Sequence, residues 1–515
     1  MIYDVVVVGL GPCGGVATAL LGLQGLSTLG FDKASSVYDR PRALALDHEI
    51  LRTFQQIGLM HRVGQWIKPA TATEYYGVNG QLIRRMADVD PPHPMGYPPS
   101  VVFAQPQVED ALRKRLGELS SVTLCWGEEL IGLTQIENHV QLTLRSANGT
   151  VRSVRARYAI GCDGATSTVR ELLNLDLEDL EFNEPWLVVD VLLNESGAAK
   201  VPAVSAQYCE PSRPCWYIIG VDNHRRWQFA LNPGEVPQSF EASEVAWRLL
   251  SRWIAPSDGY LQRHTTYHFR GLVANAWRRG RVFIAGDAAH QQPPFLGQGL
   301  CQGIRDVANL SWKLSAVLQG KFGGAALDTY GVERRAHVRQ FTTQLKALGR
   351  STFDRDPDRA RARDERLLAE CGGVVPTARR QGLQPRLIEG FISPIDHPAN
   401  GTIFPQPWVS VDGRRARFDD AVGCGWRLVL SEESVDIEVP EELCTVLSLR
   451  KVCLGDRPNG IREVEGVLGN WFREYACSAA LVRPDHYVYG TGASSRDLPV
   501  LFSALKAWIA NKPTE

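Results

Sequence analysis

The sequence predicts an α/β fold that opens with a parallel, Rossmann-like sheet, and three observations predict it. A β-branched run, Tyr3–Val8, leads into a glycine-rich turn and then into a helix-compatible stretch. A second apolar run ends at Asp32, and two later apolar runs end in an aspartate beside a glycine, at Asp163 and Asp287. Strands that alternate with helices and end in such turns are typical of doubly wound sheets.

The opening turn has the spacing G-x-G-x-x-G, with Gly9, Gly11 and Gly14. The first glycine makes a tight turn, the second lets a pyrophosphate approach the backbone, and the third lets the helix pack closely on the strand. The free N–H groups at the helix start then face the diphosphate. Asp32 follows Gly14 by 18 residues, near the ~20-residue offset at which a carboxylate meets a ribose hydroxyl. This stretch predicts a bound dinucleotide.

Composition and charge exclude several classes of protein. The 515 residues carry 56 basic and 57 acidic side chains, and a net charge of -1 gives no field that recruits nucleic acid or an anionic membrane. The uncharged run 5–31 is not a signal or membrane segment, because no basic region precedes it and glycine and proline interrupt it. Eleven cysteines without a C-x-x-C pair or zinc spacing predict a reducing cytoplasm and no metal site.

The middle of the chain changes to a strand-rich pattern. Four short strands with many aromatic residues lie between Trp186 and Leu231, and two more flank the turn Asn79-Gly80, which predicts an antiparallel sheet inserted into the α/β chain. Short strands and a terminal helix, Leu498–Ala510, predict a separate C-terminal domain. The predicted domains are therefore 1–73, 101–175 and 271–395 for the α/β domain, 74–100 and 176–270 for the inserted sheet, and 396–515 for the C-terminal domain.

The two later aspartate motifs place polar groups at the ends of strands, where ligands bind in open α/β sheets. Asp163 precedes Gly164, and Asp287 follows Gly286. Asp287 can accept hydrogen bonds from polyol hydroxyls. The nearby loop 297–299 presents backbone N–H groups at the start of a helix, a site for an anion or a polarised carbonyl.

These three motifs together resemble those of the class A flavoprotein aromatic hydroxylases, which have the para-hydroxybenzoate hydroxylase fold, over residues 1–345. The resemblance implies a Rossmann-like FAD-binding domain with an inserted antiparallel-sheet substrate domain. The segments 41–47 and 481–488 look most like the 3-(3-hydroxyphenyl)propionate and phenol hydroxylase branch. That branch implies a C-terminal thioredoxin-like domain. This chain has no C-x-x-C pair in that segment, which predicts that the domain has no dithiol redox role.

The resemblance also implies which residues bind FAD. The first motif would hold the ADP part, Asp287 would bind the ribityl hydroxyls, and backbone N–H groups of Leu300 and Cys301 would meet a carbonyl of the flavin. Pro294 would lie close to the reactive ring. The full set of FAD-binding residues implied in this way is Gly9, Gly11, Gly14, Asp32, Arg42, Gln105, Asp163, Arg170, Gly286, Asp287, Pro294, Gly297, Gly299, Leu300 and Cys301. Arg305 departs from the family, which often has Asp or Gly there.

The reaction implied by the resemblance is hydroxylation of a small phenolic or related aromatic substrate. FAD would be reduced by NADH or NADPH and would react with O₂ to a C4a-hydroperoxide, which transfers OH to the ring. The substrate would lie between the flavin and the inserted sheet, against Tyr208, Tyr217 and Gln228. His48 is the first candidate for a base that deprotonates the phenol. His290 and His268 are the alternatives.

Other functions stay open at this point. An FAD oxidoreductase that uses O₂ only as an electron acceptor, or an N-heteroaromatic hydroxylase, would share the same motifs. A halogenase is disfavoured because the signature Trp-x-Trp-x-Ile-Pro is missing from the sequence. A non-catalytic flavin-binding protein is a third class. The sequence leaves the substrate, the choice of nicotinamide nucleotide and the oligomeric state undecided, and a homodimer is among the states left open.

Overall fold

The fold was obtained as a computed structural model, which describes residues 2–380, 383–434, 437–456 and 459–510. Within these ranges the chain forms five sheets. None of the helices in these ranges combines the length and the apolar character needed to cross a bilayer. The mixed α/β architecture agrees with the fold class predicted from the sequence.

The first sheet is built on the opening strand, which lies between two parallel neighbours. Val5 pairs with Thr28 on one side and with Tyr158 on the other. All four valines of the opening strand are buried, as expected for a parallel strand covered on both faces. The described strands of this sheet are Tyr3–Val8, Thr28–Asp32, Val122–Trp126, Glu128–Ile136, His139–Ser146, Val151–Gly161, Arg278–Arg279 and Val282–Ile284.

Helices cover this sheet, and close glycine contacts determine how the first of them packs. A Cβ atom on Gly14 would lie 1.8 Å from the carbonyl oxygen of Gly9, so only glycine fits at this position. Cys13 donates to the carbonyl of Gly303 at 3.1 Å, which joins the opening helix to a later one. The helices of this part are Pro12–Leu23, His48–Gln56, Met60–Val63, Gln105–Gly117, Thr168–Leu172, Gly299–Leu318 and Ala325–Thr352.

The second sheet is larger and forms the inserted domain. Its neighbouring strands run antiparallel, except that Ser205–Tyr208 is parallel to Thr73–Tyr76 and Thr377–Arg379 is parallel to Leu82–Ala87. Its described strands are Thr73–Tyr76, Leu82–Ala87, Leu177–Leu193, Ser205–Tyr208, Cys215–Ile219, His224–Ala230, Gly259–Ala274, His290–Gln291 and Thr377–Arg379. The helices Glu195–Ala198, Ser243–Leu250 and Pro357–Glu370 accompany it.

Two features of this sheet differ from the sequence-based description. Gly259–Ala274 is one long strand that the sequence did not predict, because its polar residues hide the alternation. Strands from 290–291 and 377–379, which were predicted to belong to the α/β domain, pair at the edges of this sheet. A small third sheet has the strands Ala45–Asp47, Ile67–Pro69 and Ser100–Phe103, which lie in sequence between Thr28–Asp32 and Val122–Trp126 of the first sheet.

The C-terminal part has its own sheets and core. A parallel pair, Arg427–Leu430 and Arg450–Cys453, is continued by the antiparallel strands Ala479–Val482 and Val488–Gly492. The remaining elements are the strands Trp408–Val411, Arg414–Arg417 and Arg462–Glu463 and the helices Phe418–Val422, Glu441–Leu447, Val467–Glu474 and Leu498–Ala510. All eleven cysteines of the chain are free thiols.

Buried ion pairs join the C-terminal part to the α/β part. Glu333 contacts Lys313 and Arg483, each at 2.8 Å, and all three side chains are fully buried. Asn309 and the backbone N–H of Phe391 also donate to Glu333. Burial alone would raise the pKa of Glu333, but the charges of Arg483 and Lys313 outweigh it and lower the pKa to about 2.

We expect Glu333→Gln to destabilise the fold by about 3–5 kcal/mol near neutral pH, because it removes the carboxylate that pairs with buried Lys313 and one of the two carboxylates that contact buried Arg483. The pKa of Glu333 is lower in the folded than in the unfolded chain, so its stabilisation is present above the ordinary carboxyl pKa of about 4.3 and is lost as pH falls towards 2. The difference in Tm between variant and wild type should therefore shrink on acidification.

The measurement is thermal unfolding of both proteins from about pH 7 down to about pH 3. Glu129→Gln is the matched control, because Glu129 forms an exposed pair with Arg145 and its loss should change stability by less than about 1 kcal/mol. A Tm difference for Glu333→Gln that stays constant or grows on acidification would contradict the assignment.

Candidate active site

A cavity of about 1150 Å³ lies between the carboxyl edge of the first sheet and one face of the second. The opening turn and the ends of three parallel strands form one wall. Strands of the second sheet form the opposite wall, and the segment 291–300 lies between them. Ligands bind at this edge in open α/β sheets, so the cavity lies where the strand order predicts a site.

The opening turn is shaped for a ligand that approaches its backbone. Gly9 has a φ of 88°, and a Cβ there would lie 2.7 Å from the carbonyl oxygen of Cys162. Gly11, in contrast, lines the cavity and has no heavy atom within 4 Å of its Cβ position. Asp32 lines the cavity beside it and accepts from the backbone N–H of Leu10 at 2.7 Å. Gly14 lies behind the turn and packs the helix.

Hydrogen bonds to the side chain of Gln105 hold the segment that carries Arg42. The amide oxygen of Gln105 accepts from the backbone N–H groups of Arg42 and Ala43, at 2.9 and 2.6 Å, and its NH₂ group donates to Glu109. Both Arg42 and Gln105 line the cavity. The guanidinium of Arg226, from the second sheet, donates to the carbonyl oxygens of Pro41 and Arg42. Both domains thus hold this segment.

The motif around Asp163 is stabilised locally. The carboxylate of Asp163 accepts from the hydroxyl of Ser167 at 2.5 Å and from the N–H of Val169 at 3.0 Å, and it lines the cavity. Arg170 is not part of the described lining. It lies behind the wall and donates to the carbonyls of Ala165 and Ala288, so it joins the second motif to the third.

Asp287 differs from the other acidic residues of this wall. Its side chain is accessible because it points into the cavity, together with Gly286, and no described group donates a hydrogen bond to its carboxylate. The protein around it nevertheless removes much of the bulk water, and this burial raises the pKa of Asp287. An acceptor without a partner inside a cavity is suited to the hydroxyls of a bound ligand.

The proline-glycine loop forms the next part of the wall. Pro294, Gly297, Gly299 and Leu300 line the cavity, at the start of the 20-residue helix Gly299–Leu318. The first N–H groups of a helix have no partner within the helix, so they are available to a ligand here. Cys301 is fully buried behind this loop, and burial raises the pKa of its thiol.

Arg305 connects this loop to the C-terminal part. The sequence showed only that the residue type at this position departs from the family, and it did not predict this role. Its guanidinium contacts Asp47 at 2.5 Å, Glu49 at 2.9 Å and the amide oxygen of Gln298 at 3.2 Å. Tyr487 donates to Glu49 at 3.3 Å. A chain of buried contacts therefore runs from the C-terminal part to the residue between Gly297 and Gly299.

The second sheet places only some of its predicted substrate residues in the cavity. Gln228 lines it, but Tyr208 and Tyr217 lie on the opposite face of the sheet. Tyr217 donates to the carbonyl of Pro202, and Tyr208 packs on Tyr76 with ring centres 5.7 Å apart. Successive side chains of a strand alternate between faces, and sequence alone did not reveal which face is inward.

Several polar atoms on the inner face lack a partner among the described residues. They are the indole nitrogen of Trp216, the amide oxygen of Gln228 and the amide oxygen of Gln292. Trp216 and Gln228 are more than nine-tenths buried and are directly paired across neighbouring strands. Buried polar atoms in folded proteins usually have a partner, so a donor and an acceptor on this wall remain available to a polar ligand.

The three candidate histidines differ in position. His48 is buried in the first turn of its helix, outside the described lining, and burial lowers its pKa. His290 is bound to Asp306 at 2.7 Å and stacks on Trp277, which is a core role. His268 lines the cavity and lies near Asn183.

One cluster of metal-binding residue types occurs elsewhere, in the C-terminal part. Asp419, Cys424 and His486 have ligand atoms within 4.8 Å of one another. The carboxylate of Asp419 already contacts Arg52 and Arg427, each at 2.6 Å. Two guanidinium groups at this carboxylate repel a cation, so the cluster is better explained as an ion-pair network.

Comparison with known proteins decides the family. Residues 2–345 match the family model described as FAD binding domain, and residues 401–507 match the one described as HcaD C-terminal domain. The chain belongs to the class A flavoprotein aromatic hydroxylases. It is an FAD-dependent aromatic monooxygenase that uses NAD(P)H and O₂, as the sequence motifs predicted.

Relatives of this enzyme match it over nearly its whole length. A probable NADH-specific resorcinol 4-hydroxylase of Rhodococcus jostii (strain RHA1) is 34% identical and covers 99% of this chain and 96% of its own. A 3-(3-hydroxy-phenyl)propionate/3-hydroxycinnamic acid hydroxylase of Mycobacterium sp. (strain JLS) is 32% identical and covers 96% and 90%. Both are therefore similar to this enzyme in the FAD-binding and C-terminal parts.

Several solved structures share the fold of this chain. The flavin-dependent monooxygenase PieE, solved with FAD and substrate, has a TM-score of 0.82 at 21% identity and covers 99% of both chains. Aklavinone-11 hydroxylase, solved with FAD and aklavinone, has a TM-score of 0.80 at 22% identity and covers 98% of both. These matches confirm the predicted fold class.

The two glycines of the opening turn should respond differently to alanine. Gly11→Ala adds a methyl group that meets nothing within 4 Å, so the stability of the FAD-free protein should not change. The same methyl group fills the space into which a diphosphate must approach, and we expect the Kd for FAD to rise at least about tenfold. Gly14→Ala forces the helix away from Gly9 and should cost about 1–3 kcal/mol of stability.

The measurements are FAD titration followed by flavin fluorescence and thermal unfolding of the FAD-free proteins. Gly11→Ala with unchanged Tm and weakened FAD binding would agree with the geometry. If Gly11→Ala binds FAD as tightly as the wild type, the diphosphate does not approach the opening turn.

Proposed function

We propose that FAD lies along the first wall of the cavity, with its ADP half on the opening turn and its ring beside the proline-glycine loop. The space at Gly11 supports the position of the diphosphate, and Asp32 lies where the ribose would be. The unpaired carboxylate of Asp287 supports a ribityl chain with hydroxyls at that point. The N–H groups at the start of Gly299–Leu318 would meet a carbonyl of the ring.

Bound FAD supplies the redox chemistry and the activation of O₂, and the protein supplies orientation, electrostatics and exclusion of water. Apolar side chains of Val188, Ile218 and Leu296 line the same cavity and keep water from the ring edge. Exclusion of water favours transfer of oxygen to the substrate over its loss as peroxide.

The substrate is proposed to be a phenol held flat against the inner face of the second sheet. The observation that carries this proposal is the pair of buried atoms without partners at Trp216 and Gln228. The amide oxygen of Gln228 would accept from the phenolic hydroxyl, which orients the ring and increases its electron density. The indole N–H of Trp216 would donate to a second oxygen of the substrate.

NADH is proposed as the physiological reductant, because the similar Rhodococcus protein is named as NADH-specific. A homodimer and a cytoplasmic location remain predictions of the sequence. The alternatives of an oxidase or a flavin-binding protein without turnover predict different products, and one assay separates them.

The assay follows NADH and NADPH oxidation with a panel that includes resorcinol and 3-(3-hydroxyphenyl)propionate. We expect at least one phenol to stimulate NADH oxidation and to yield a product heavier by one oxygen atom in mass spectrometry. Stimulated oxidation that yields only H₂O₂ with every phenol, or no stimulation at all, would overturn the proposal.

Gln228→Leu tests the substrate face directly. Loss of the acceptor should raise the KM for the phenol by about tenfold, since a hydrogen bond in such a site is worth about 1–1.5 kcal/mol. FAD content should not change. Tyr217→Phe is the control, because its hydroxyl contacts Pro202 on the opposite face, and it should leave KM unchanged. If Tyr217→Phe raises the KM and Gln228→Leu does not, the substrate lies on the opposite face of the second sheet.

His48→Gln tests the base that was predicted from the sequence. Because His48 does not reach the described lining, we expect kcat to fall by less than about tenfold, against roughly 10²–10⁴-fold for loss of a general base. Coupling of NADH use to product should also stay close to wild type. A loss of turnover that is restored at higher pH would identify His48 as the base after all.

A further inference from the structure

The charges around the cavity are distributed unevenly: the α/β wall carries both signs, including Lys33, Arg42 and Arg113, whereas the charged residues of the opposite wall are arginines. The acidic residues that line it all come from the α/β domain: Asp32, Asp39, Glu109, Glu128, Glu129, Asp163 and Asp287. The second sheet and the segment after it contribute arginines instead: Arg226, Arg263, Arg270 and Arg380. Low-dielectric walls lined by one sign of charge concentrate ligands of the opposite sign. The substrate side of the cavity therefore favours an anion.

Two of these four arginines share one carboxylate partner. Arg226 and Arg263 contact the carboxylate of Asp190, at 2.7 and 3.0 Å, and all three side chains are buried. A buried carboxylate between two guanidiniums holds them in place and leaves them little capacity for a further anion. They stabilise the wall. Arg270 is exposed, so solvent screens its charge, whereas Arg380 is half-buried and is the stronger candidate for binding an anion.

Arg380 has no such carboxylate. Among the described residues no acidic side chain pairs with it, and its NH₂ groups reach only the hydroxyl of Thr73 and the carbonyl of Thr71. Its Nε atom is buried and has no hydrogen-bond partner. A guanidinium that lines a cavity and has no counter-charge among the described residues is suited to bind a carboxylate, because its planar fork matches the two oxygens.

The sheet geometry relates Arg380 to the phenol site. Thr73, which holds the guanidinium, lies on the first of four neighbouring strands, and Gln228 lies on the fourth. Neighbouring strands are ~4.8 Å apart and Gln228 lies opposite Tyr75, two residues along from Thr73, so Thr73 and Gln228 originate roughly 16 Å apart on the same face. The guanidinium is held at Thr73, and hydrogen bonds of ~2.9 Å at both ends leave on the order of 10 Å for the ligand. A hydroxyphenyl ring with a short acidic side chain spans such a gap.

We propose that Arg380 binds the carboxylate of the aromatic substrate, so that the enzyme prefers phenols with an acidic side chain over neutral phenols. This inference rests on the proposed function, since it assumes that the phenol lies at Gln228. The two similar relatives are named for substrates of both kinds, resorcinol and hydroxyphenyl acids. The position of Arg380 favours a hydroxyphenyl acid over resorcinol as the substrate of this chain.

The test compares 3-(3-hydroxyphenyl)propionate with its primary amide, which differs only in charge. Wild-type enzyme should bind the acid more tightly than the amide, and Arg380→Gln should raise the KM for the acid by about 10- to 100-fold. The KM for the amide and the KM for NADH should stay unchanged. Arg380→Lys keeps the charge and should recover part of the loss.

Arg379→Gln is the matched control, because the neighbouring Arg379 is exposed and already pairs with Asp90. The change in flavin absorbance on titration with the acid, in the absence of NADH, gives a binding readout that does not depend on turnover. Thermal unfolding shows whether each variant is folded.

The outcomes separate the inference from the proposed function. If no phenol is hydroxylated by the wild type, the proposed function fails. If the wild type hydroxylates resorcinol and the amide as well as the acid, and Arg380→Gln changes none of them, the inference fails while the function stands. If Arg380→Gln raises the KM for NADH instead, the guanidinium binds a phosphate of the nucleotide, and the inference fails as well.

Discussion

The cavity exists because the guanidinium of Arg226 holds its two walls together. Arg226 belongs to the second sheet, yet it donates to the backbone of Pro41 and Arg42 in the α/β domain. Its position is fixed by Asp190, whose carboxylate is fully buried and also contacts His224 and Arg263. The arginine charges keep the pKa of Asp190 well below its usual range despite burial, so the carboxylate stays ionised and the clamp is permanent. The separation of the two walls depends on this contact.

The C-terminal part extends the same principle. Tyr487 reaches Glu49, which binds Arg305, which in turn binds Gln298 in the loop beside the proposed flavin ring. A buried ionic contact adds little net stability compared with an apolar one, but it specifies one arrangement of its partners. The C-terminal part contains free thiols and contributes no residue to the described cavity lining. The C-terminal part contacts the FAD-binding domain through Tyr487 and Glu49, and it supports the loop through Arg305 without lining the cavity.

The sequence predicted the local motifs, but it did not predict which face of the second sheet is turned towards the cavity. The glycine spacing and the two aspartate motifs depend only on neighbours along the chain, so the first wall of the cavity was predicted nearly residue by residue. The faces of the second sheet depend on which side the α/β domain covers, and an alternating strand with aromatics on both faces gives no sign of this. The sequence therefore predicts Tyr208 and Tyr217 as substrate residues, whereas the structure places Trp216 in the cavity. Gly259–Ala274 was missed because its polar side chains look like loop sequence.

Arg380 lies in a segment, 346–400, that neither matched family model covers. That segment returns to the far edge of the second sheet through Thr377–Arg379 and delivers its next residue into the cavity. In the proposed arrangement, selectivity for charge depends on a connector that lies outside both matched modules. Two chains can share both flanking modules and still accept differently charged rings, and function assigned by module alone would not distinguish them.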